Sequence, residues 1–244
     1  MKSFYEKLSD RSQKRIALLV DPDGYDDAGL DNLIGYINMN PPDLILVGGS
    51  LLFKPIEISI TALKLGTSLP VFLFPGNAFQ LSDRADGILF LSLISGRNPE
   101  FLIGNHVLAA PHLHRAGIEV IPTGYMLIEN GKSTSVEYMS NSTPIPGNKP
   151  EIAVATAMAG EMLGLKSIYL EAGSGAAHTV SVEMISAIRK HLSLPLMVGG
   201  GIRTPETARE VYEAGADLIV VGNAIEKDPK LLKDFCDVRN SFNS

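Results

Sequence analysis

Eight short apolar runs alternate with helix-patterned segments over 244 residues, and glycine clusters end the last two runs. Together these predict an α/β chain closed into a (βα)8 TIM barrel. The runs fall at 16–21, 44–50, 71–75, 87–94, 119–122, 167–173, 196–201 and 218–222. Most are continuously apolar rather than alternating, as parallel strands covered on both faces must be. Eight strand–helix units favour a closed barrel over an open sheet. No linker or low-complexity stretch interrupts them, so 1–244 reads as one barrel domain.

In chain order, the first run ends in Asp21-Pro22-Asp23 and the second in Gly48-Gly49-Ser50. After the third run only 76–86 precedes the fourth, and it carries Asn77, Ser82, Asp83 and Asp86. That stretch is too short and too polar for a covering helix, so the helix after strand three is expected to be missing or reduced. An apolar slot beside Phe72, Phe74, Phe79 and Phe90 would then open. A short turn closing the gap is the other reading. The fifth strand is expected to stop near Pro122, with a long loop through Gly124, Tyr125, Gly131, Pro144, Pro146 and Gly147 to Lys149. Loops of that length in compact domains are commonly functional. Helices are expected at 151–163, 180–191, 205–214 and 229–238. Pro205 and Pro229 would sit in first turns, with Thr204 and Asp228 as N-caps and Gly164 and Gly215 as stops.

Composition narrows the function. The formal net charge is -6 and no Lys/Arg run occurs, which argues against a nucleic-acid partner. The single cysteine, Cys236, allows no intrachain disulfide and fits a reducing cytoplasm, with a structural thiol on the last helix. The polar segment 1–15 does not read as a signal peptide, and no apolar run approaches the length of a membrane span. Peripheral membrane contact stays compatible with these facts.

Chemistry concentrates at the strand ends. Asp21 ends an apolar strand at the expected barrel mouth, where a carboxylate suits a hard cation such as Mg²⁺. Asp-Pro-Asp-Gly is equally a turn sequence. Ser50 could offer a hydroxyl to the same cation or its phosphate. The sixth run ends Tyr169-Leu170-Glu171-Ala172-Gly173-Ser174-Gly175. A carboxylate among Ile168, Leu170 and Ala172 is costly to bury without a task, which makes Glu171 a candidate general base. The bland alternative is a surface glutamate before a loop. Gly200, Gly201, Gly222 and Asn223 offer backbone N–H groups at two strand ends, an anion site in which helix openings assist. Arg203 adds a charge there or is a solvated first-turn residue. The five histidines have no ligand spacing and read as surface residues, although His178 follows the Gly-Ser-Gly turn.

These motifs, with Phe74-Pro75-Gly76 and Gly124-Tyr125, resemble geranylgeranylglyceryl phosphate synthase and its bacterial heptaprenylglyceryl phosphate relatives. The resemblance spans nearly the whole chain. Its most specific part is Tyr169-Leu170-Glu171 before the Gly-Ser-Gly turn. It implies an Mg²⁺-dependent prenyltransferase that joins a long polyprenyl diphosphate, geranylgeranyl diphosphate foremost, to the 3-hydroxyl of sn-glycerol 1-phosphate. By that resemblance Asp21 and Ser50 hold Mg²⁺. Tyr169 through Gly175, Gly200, Gly201, Gly222 and Asn223 hold glycerol phosphate. A homo-oligomer, from dimer to hexamer, is also implied. Some relatives carry a lysine two positions before the first-strand aspartate; Leu19 stands here, which removes one phosphate ligand. Two other functions share the late glycines: a barrel isomerase or lyase acting on a small sugar phosphate, and a non-catalytic phosphometabolite-binding protein.

Overall fold

The computed structural model describes residues 3–243. Eight parallel strands close in sequence order, each hydrogen-bonded to the next and the last to the first. They are β1 Arg15–Val20, β2 Leu44–Val47, β3 Val71–Leu73, β4 Gly87–Leu93, β5 Glu119–Leu127, β6 Ser167–Glu171, β7 Leu196–Gly199 and β8 Leu218–Val221. The helices are α1 Phe4–Leu8, α2 Asp27–Met39, α3 Ile56–Gly66, α4 Asn105–Ala116, α5 Ser135–Ser140, α6 Pro150–Met162, α7 Val182–Arg189, α8 Pro205–Glu213, α9 Asn223–Lys227 and α10 Leu231–Asn243. Among the described residues no helix is long and apolar enough to cross a membrane.

Two apolar layers explain the continuous runs. Ile45, Val47, Ile168 and Leu170 point outward and pack under the helices. Leu44, Leu46, Tyr169 and Met197 point inward and fill the barrel. Successive side chains on a strand face opposite ways, so a strand covered on both sides is apolar at every position. Each fully buried Val, Leu or Ile contributes about 1.5–3 kcal/mol of transfer free energy. The amino-terminal end of the barrel is plugged by α1. Phe4 packs on Phe72 with ring centroids 5.4 Å apart, and the Phe4 and Tyr5 N–H groups donate to the Glu119 carboxylate at 2.8 and 2.7 Å.

The gap after strand three is real. Residues 74–86 run from β3 to β4 without a helix. The ends of α6 and α8 also agree with the sequence: Thr204 caps α8 through its side chain, and positive-φ Gly164 and Gly215 follow α6 and α8. Three expectations need correction. β5 does not stop at Pro122 but reaches Leu127, so Gly124 and Tyr125 lie in the strand. Its pairing with β6 begins only at Thr123↔Ser167, so the N–H that Pro122 lacks is not missed on that side. The segment after β5 also carries α5. Near the carboxyl end, Asp228 does not cap a helix at Pro229. It closes the short α9 and accepts the Lys230 N–H at 3.1 Å, and α10 starts at Leu231. Cys236 is buried on α10 as expected, and burial pushes its thiol up to about 11.

Candidate active site

The carboxyl ends of the strands surround a cavity of about 560 Å³, within the usual range for small-molecule sites. At one side β1 delivers Asp21. Its Oδ1 accepts the Asp23 N–H at 2.9 Å and caps the turn Pro22–Gly24. The turn reading and the site reading therefore both hold. The other oxygen, Oδ2, faces Gly49 of the loop after β2. Asp23 does not share this role. Its two oxygens accept the Phe53 and Lys54 N–H groups at 2.8 and 2.9 Å, tying that loop down. Asp21 is half-buried, and desolvation raises its carboxyl pKa.

β6 delivers the second carboxylate. Inward-outward alternation puts Tyr169 and Glu171 inside, while Leu170 and Ala172 pack outward under the helices. The side chains of Leu170 and Ala172 therefore do not line the cavity, and only their backbone could meet a ligand. Glu171 is 6% exposed. Its Oε1 accepts the Gly173 N–H at 2.7 Å. Burial pushes its carboxyl up to about 7, against the opposing pull of the Gly173 N–H and the Tyr169 and Tyr125 hydroxyls. A carboxyl poised there is suited to accept a proton at neutral pH. The Tyr169 hydroxyl is buried without a well-aligned hydrogen bond, so it can serve an incoming polar group. Tyr125 sits opposite Tyr169 on β5, with the rings stacked at 5.3 Å.

The glycine loops stand beside Glu171. Gly200 and Gly201 adopt φ +79° and +69°, left-handed values that a side chain would resist. Space forbids one as well: a Cβ on Gly200 would lie 2.4 Å from Glu171 Oε1, and one on Gly201 2.2 Å from the His178 carbonyl. Asn223 reaches from the β8 end to the β6 loop. Its Oδ1 accepts from the Ser174 hydroxyl and the Gly175 N–H, both at 3.3 Å. Arg203 donates to the Gly175 and Ala176 carbonyls, at 3.0 and 2.5 Å. It is exposed, and it braces the loop that carries Gly173, Ser174 and Gly175.

An apolar groove leaves this cavity where the ring lacks a helix. Phe74, Leu81, Ile88, Phe90, Phe101 and Ala109 line it, and α5 roofs it with Val136 and Met139. Two expected wall residues lie elsewhere. Phe72 faces the barrel interior against Phe4, and Phe79 is 95% exposed. His106 also departs from the surface reading. It is buried in the groove wall, edge-on to Phe90, with Nε2 3.1 Å from the Ser92 hydroxyl. Burial lowers its pKa, which keeps the ring neutral. His178 is exposed.

The residues at the Asp21 end fit a divalent cation completed by its substrate. Among the described residues no cluster of three or more His, Cys, Asp or Glu could hold a metal alone. Asp21 nevertheless offers a desolvated carboxylate without an ion pair, and Ser50 lies on the adjoining loop. Mg²⁺ commonly takes one or two carboxylates and fills its other positions with water and substrate phosphate oxygens.

Sequence reading overlooked three contributors. Gln80 is buried between two loops, His106 lies in the groove, and Glu226 on α9 faces Gly24, where burial first and then the nearby Asp21 carboxylate raise its pKa. None stands in a motif. Only the apolar residues around His106 carried a signal, the helical spacing of α4.

Comparison with known proteins points to one family. The model of the PcrB family matches residues 10–239. A geranylgeranylglyceryl phosphate synthase of Spirosoma linguale is 49% identical over 238 residues, covering 97% of this chain and 95% of that one. One of Chitinophaga pinensis is 48% identical over 237 residues, covering 96% and 94%. The crystal structure of the Thermoplasma acidophilum (S)-3-O-geranylgeranylglyceryl phosphate synthase, in complex with sn-glycerol-1-phosphate, superposes with a TM-score of 0.92. It is 30% identical, covering 99% of this chain and 100% of that one. The chain belongs to the PcrB family, among the geranylgeranylglyceryl phosphate synthases.

Proposed function

We propose that the protein joins a long polyprenyl diphosphate to the 3-hydroxyl of sn-glycerol 1-phosphate and releases diphosphate. The observation that carries this reading is one cavity with three chemically different parts. A buried carboxylate, Glu171, stands between main-chain N–H groups at the β7 and β8 ends and a desolvated Asp21, and an apolar groove opens beside them.

The glycine loops at Gly200–Gly201 and Gly222–Asn223 would grip the phosphate of the acceptor. Ser174 and the buried Tyr169 hydroxyl beside Glu171 would orient its glycerol hydroxyls. That geometry lowers the entropic part of the barrier before reaction. The prenyl tail would lie in the groove, which places the allylic C1 near Glu171 and the diphosphate at the Asp21 end. Asp21 and Ser50 would hold Mg²⁺, whose charge, when bound, offsets the charge of the departing diphosphate. The C1–O bond to diphosphate breaks as the 3-hydroxyl oxygen bonds to C1, and Glu171 takes the hydroxyl proton. Burial of Glu171 keeps water from competing for that proton.

The apolar groove favours this reading over an isomerase or lyase acting on a small sugar phosphate, because such a substrate has no use for a wall of Phe74, Ile88, Phe90 and Phe101. A binding protein would need neither Asp21 nor Glu171 in these desolvated positions. The test is incubation with labelled sn-glycerol 1-phosphate and prenyl diphosphates of several lengths, with and without Mg²⁺. The expected result is a Mg²⁺-dependent ether product with stoichiometric diphosphate. Conversion of a small sugar phosphate instead, or binding without turnover, would replace the proposal.

A further inference from the structure

We infer that Gln80 is a positioning residue for the diphosphate end of the cavity: its side-chain amide ties the loop after β2 to the loop after β3 and so fixes Ser50 beside Asp21. The inference rests on the function proposed above.

Regular pairing between β2 and β3 ends at Val47↔Leu73, followed by one more bond from the Phe74 N–H to the Val47 carbonyl. Beyond that point both chains turn away from the ladder while still in contact, leaving the main-chain groups of Gly49 and Gly76 without strand partners. Gln80, 4% exposed, serves both. Its Nε2 donates to the Gly49 carbonyl at 2.7 Å, and its Oε1 accepts the Gly76 N–H at 3.1 Å and the Gly49 N–H at 3.4 Å. A primary amide carries a donor and an acceptor, as a peptide group does, so this side chain extends the ladder one step past its end. A carboxylate of the same length lacks the donor, and a methionine lacks both.

The two loops are pressed together at this clamp. A Cβ on Gly76 would lie 2.3 Å from the Gly49 carbonyl oxygen and 2.8 Å from the Ser50 Cα. On its other side Gly49 lies against Asp21, where a Cβ would sit 2.9 Å from Oδ2. The contacts therefore run without a break from Gly76 through Gln80 and Gly49–Ser50 to Asp21. They also account for the missing helix. To bring Gln80 inward, the short segment after β3 must stay at the barrel mouth, and the same path leaves the groove open beside Leu81. Among the described residues the Gln80 side chain hydrogen-bonds only to these two loops and not to Glu171 or the glycine loops, so the two ends of the cavity should respond separately.

The test compares Gln80→Met and Gln80→Asn with the unaltered full-length chain. Calorimetry measures affinity for inorganic pyrophosphate with Mg²⁺ and, separately, for sn-glycerol 1-phosphate. Steady-state kinetics give KM for each substrate. Gln80→Met is expected to weaken pyrophosphate tenfold or more and to raise KM for the prenyl diphosphate to match, with glycerol phosphate affinity held within twofold. Gln80→Asn, whose shorter arm reaches one loop but not both, should shift the same way, and it decides the matter if the methionine variant does not fold. Pyrophosphate affinity within twofold of the unaltered chain in a folded variant overturns the inference, as does an equal loss for both ligands. If the unaltered chain binds no pyrophosphate with Mg²⁺, the proposed function itself is at fault and this inference falls with it.

Discussion

Glu171→Gln separates activity from stability in a way the burial of this carboxyl dictates. Glu171 titrates near 7 in the folded chain against an ordinary value of 4.5. The folded state thus holds the proton more tightly than the unfolded state. Below pH 4.5 both states are protonated and burial costs nothing in charge. As pH rises from about 4.5 to about 7, the unfolded chain ionises first and the folded state loses relative stability, a loss complete above that range. The interval between the two values corresponds to about 3 kcal/mol. A glutamine keeps the shape, can accept the Gly173 N–H, and can still meet the Tyr169 hydroxyl, which has no other partner nearby than residue 171. At pH 8 the variant should therefore be more stable than the unaltered chain by up to about 3 kcal/mol, roughly 6–12 °C in Tm for a chain of this size. At pH 4 the two should melt together. Turnover should fall by about 10²–10⁴, the usual contribution of a general base. Calorimetric or circular-dichroism melts at the two pH values, with product assays alongside, give both quantities. Equal Tm at pH 8, or a less stable variant there, would refute the desolvation reasoning. Retained turnover would remove Glu171 from the proton transfer.

Three further outcomes follow from the same geometry. Asp21→Asn should keep the fold, because an amide oxygen also caps the Pro22–Gly24 turn, while turnover drops about 10²-fold or more and glycerol phosphate affinity, read by calorimetry, stays unchanged. Gly201→Ala combines a left-handed φ with a Cβ 2.2 Å from a carbonyl carried by His178, so KM for glycerol phosphate should rise well above tenfold with the prenyl KM nearly unaffected. Ala109→Phe adds a ring to the groove wall at a cost of about 1–3 kcal/mol in stability, and competition assays should then favour shorter prenyl diphosphates.

Much of the barrel was legible because its strands are covered on both faces, so β2, β7 and β8 are apolar at nearly every position, and β6 is apolar between Ser167 and Glu171. Glu171 was legible for the same reason: a lone carboxylate in such a run must face the interior or the solvent, and the alternation with Tyr169 puts it inside. The missing helix after β3 could be read from length alone. The end of β5 could not, because Pro122 and Gly124 look like terminators until the register shows that β6 has not yet begun beside Pro122. The groove wall was half legible. Phe74 and Phe90 line it, but whether Phe72 or Phe79 does depends on which way each residue faces at a strand end, and 76–86 has no periodicity to say. Gln80 and His106 were invisible because their roles come from contacts between segments far apart in sequence.

The most direct measurement is a crystal structure with sn-glycerol 1-phosphate, Mg²⁺ and inorganic pyrophosphate bound together. The account predicts the glycerol phosphate's phosphate on the N–H groups of the Gly200–Gly201 and Gly222–Asn223 loops, its free hydroxyl at Glu171, and the pyrophosphate with its cation at Asp21 and Ser50. Reversed positions, or pyrophosphate held away from Asp21, would contradict it.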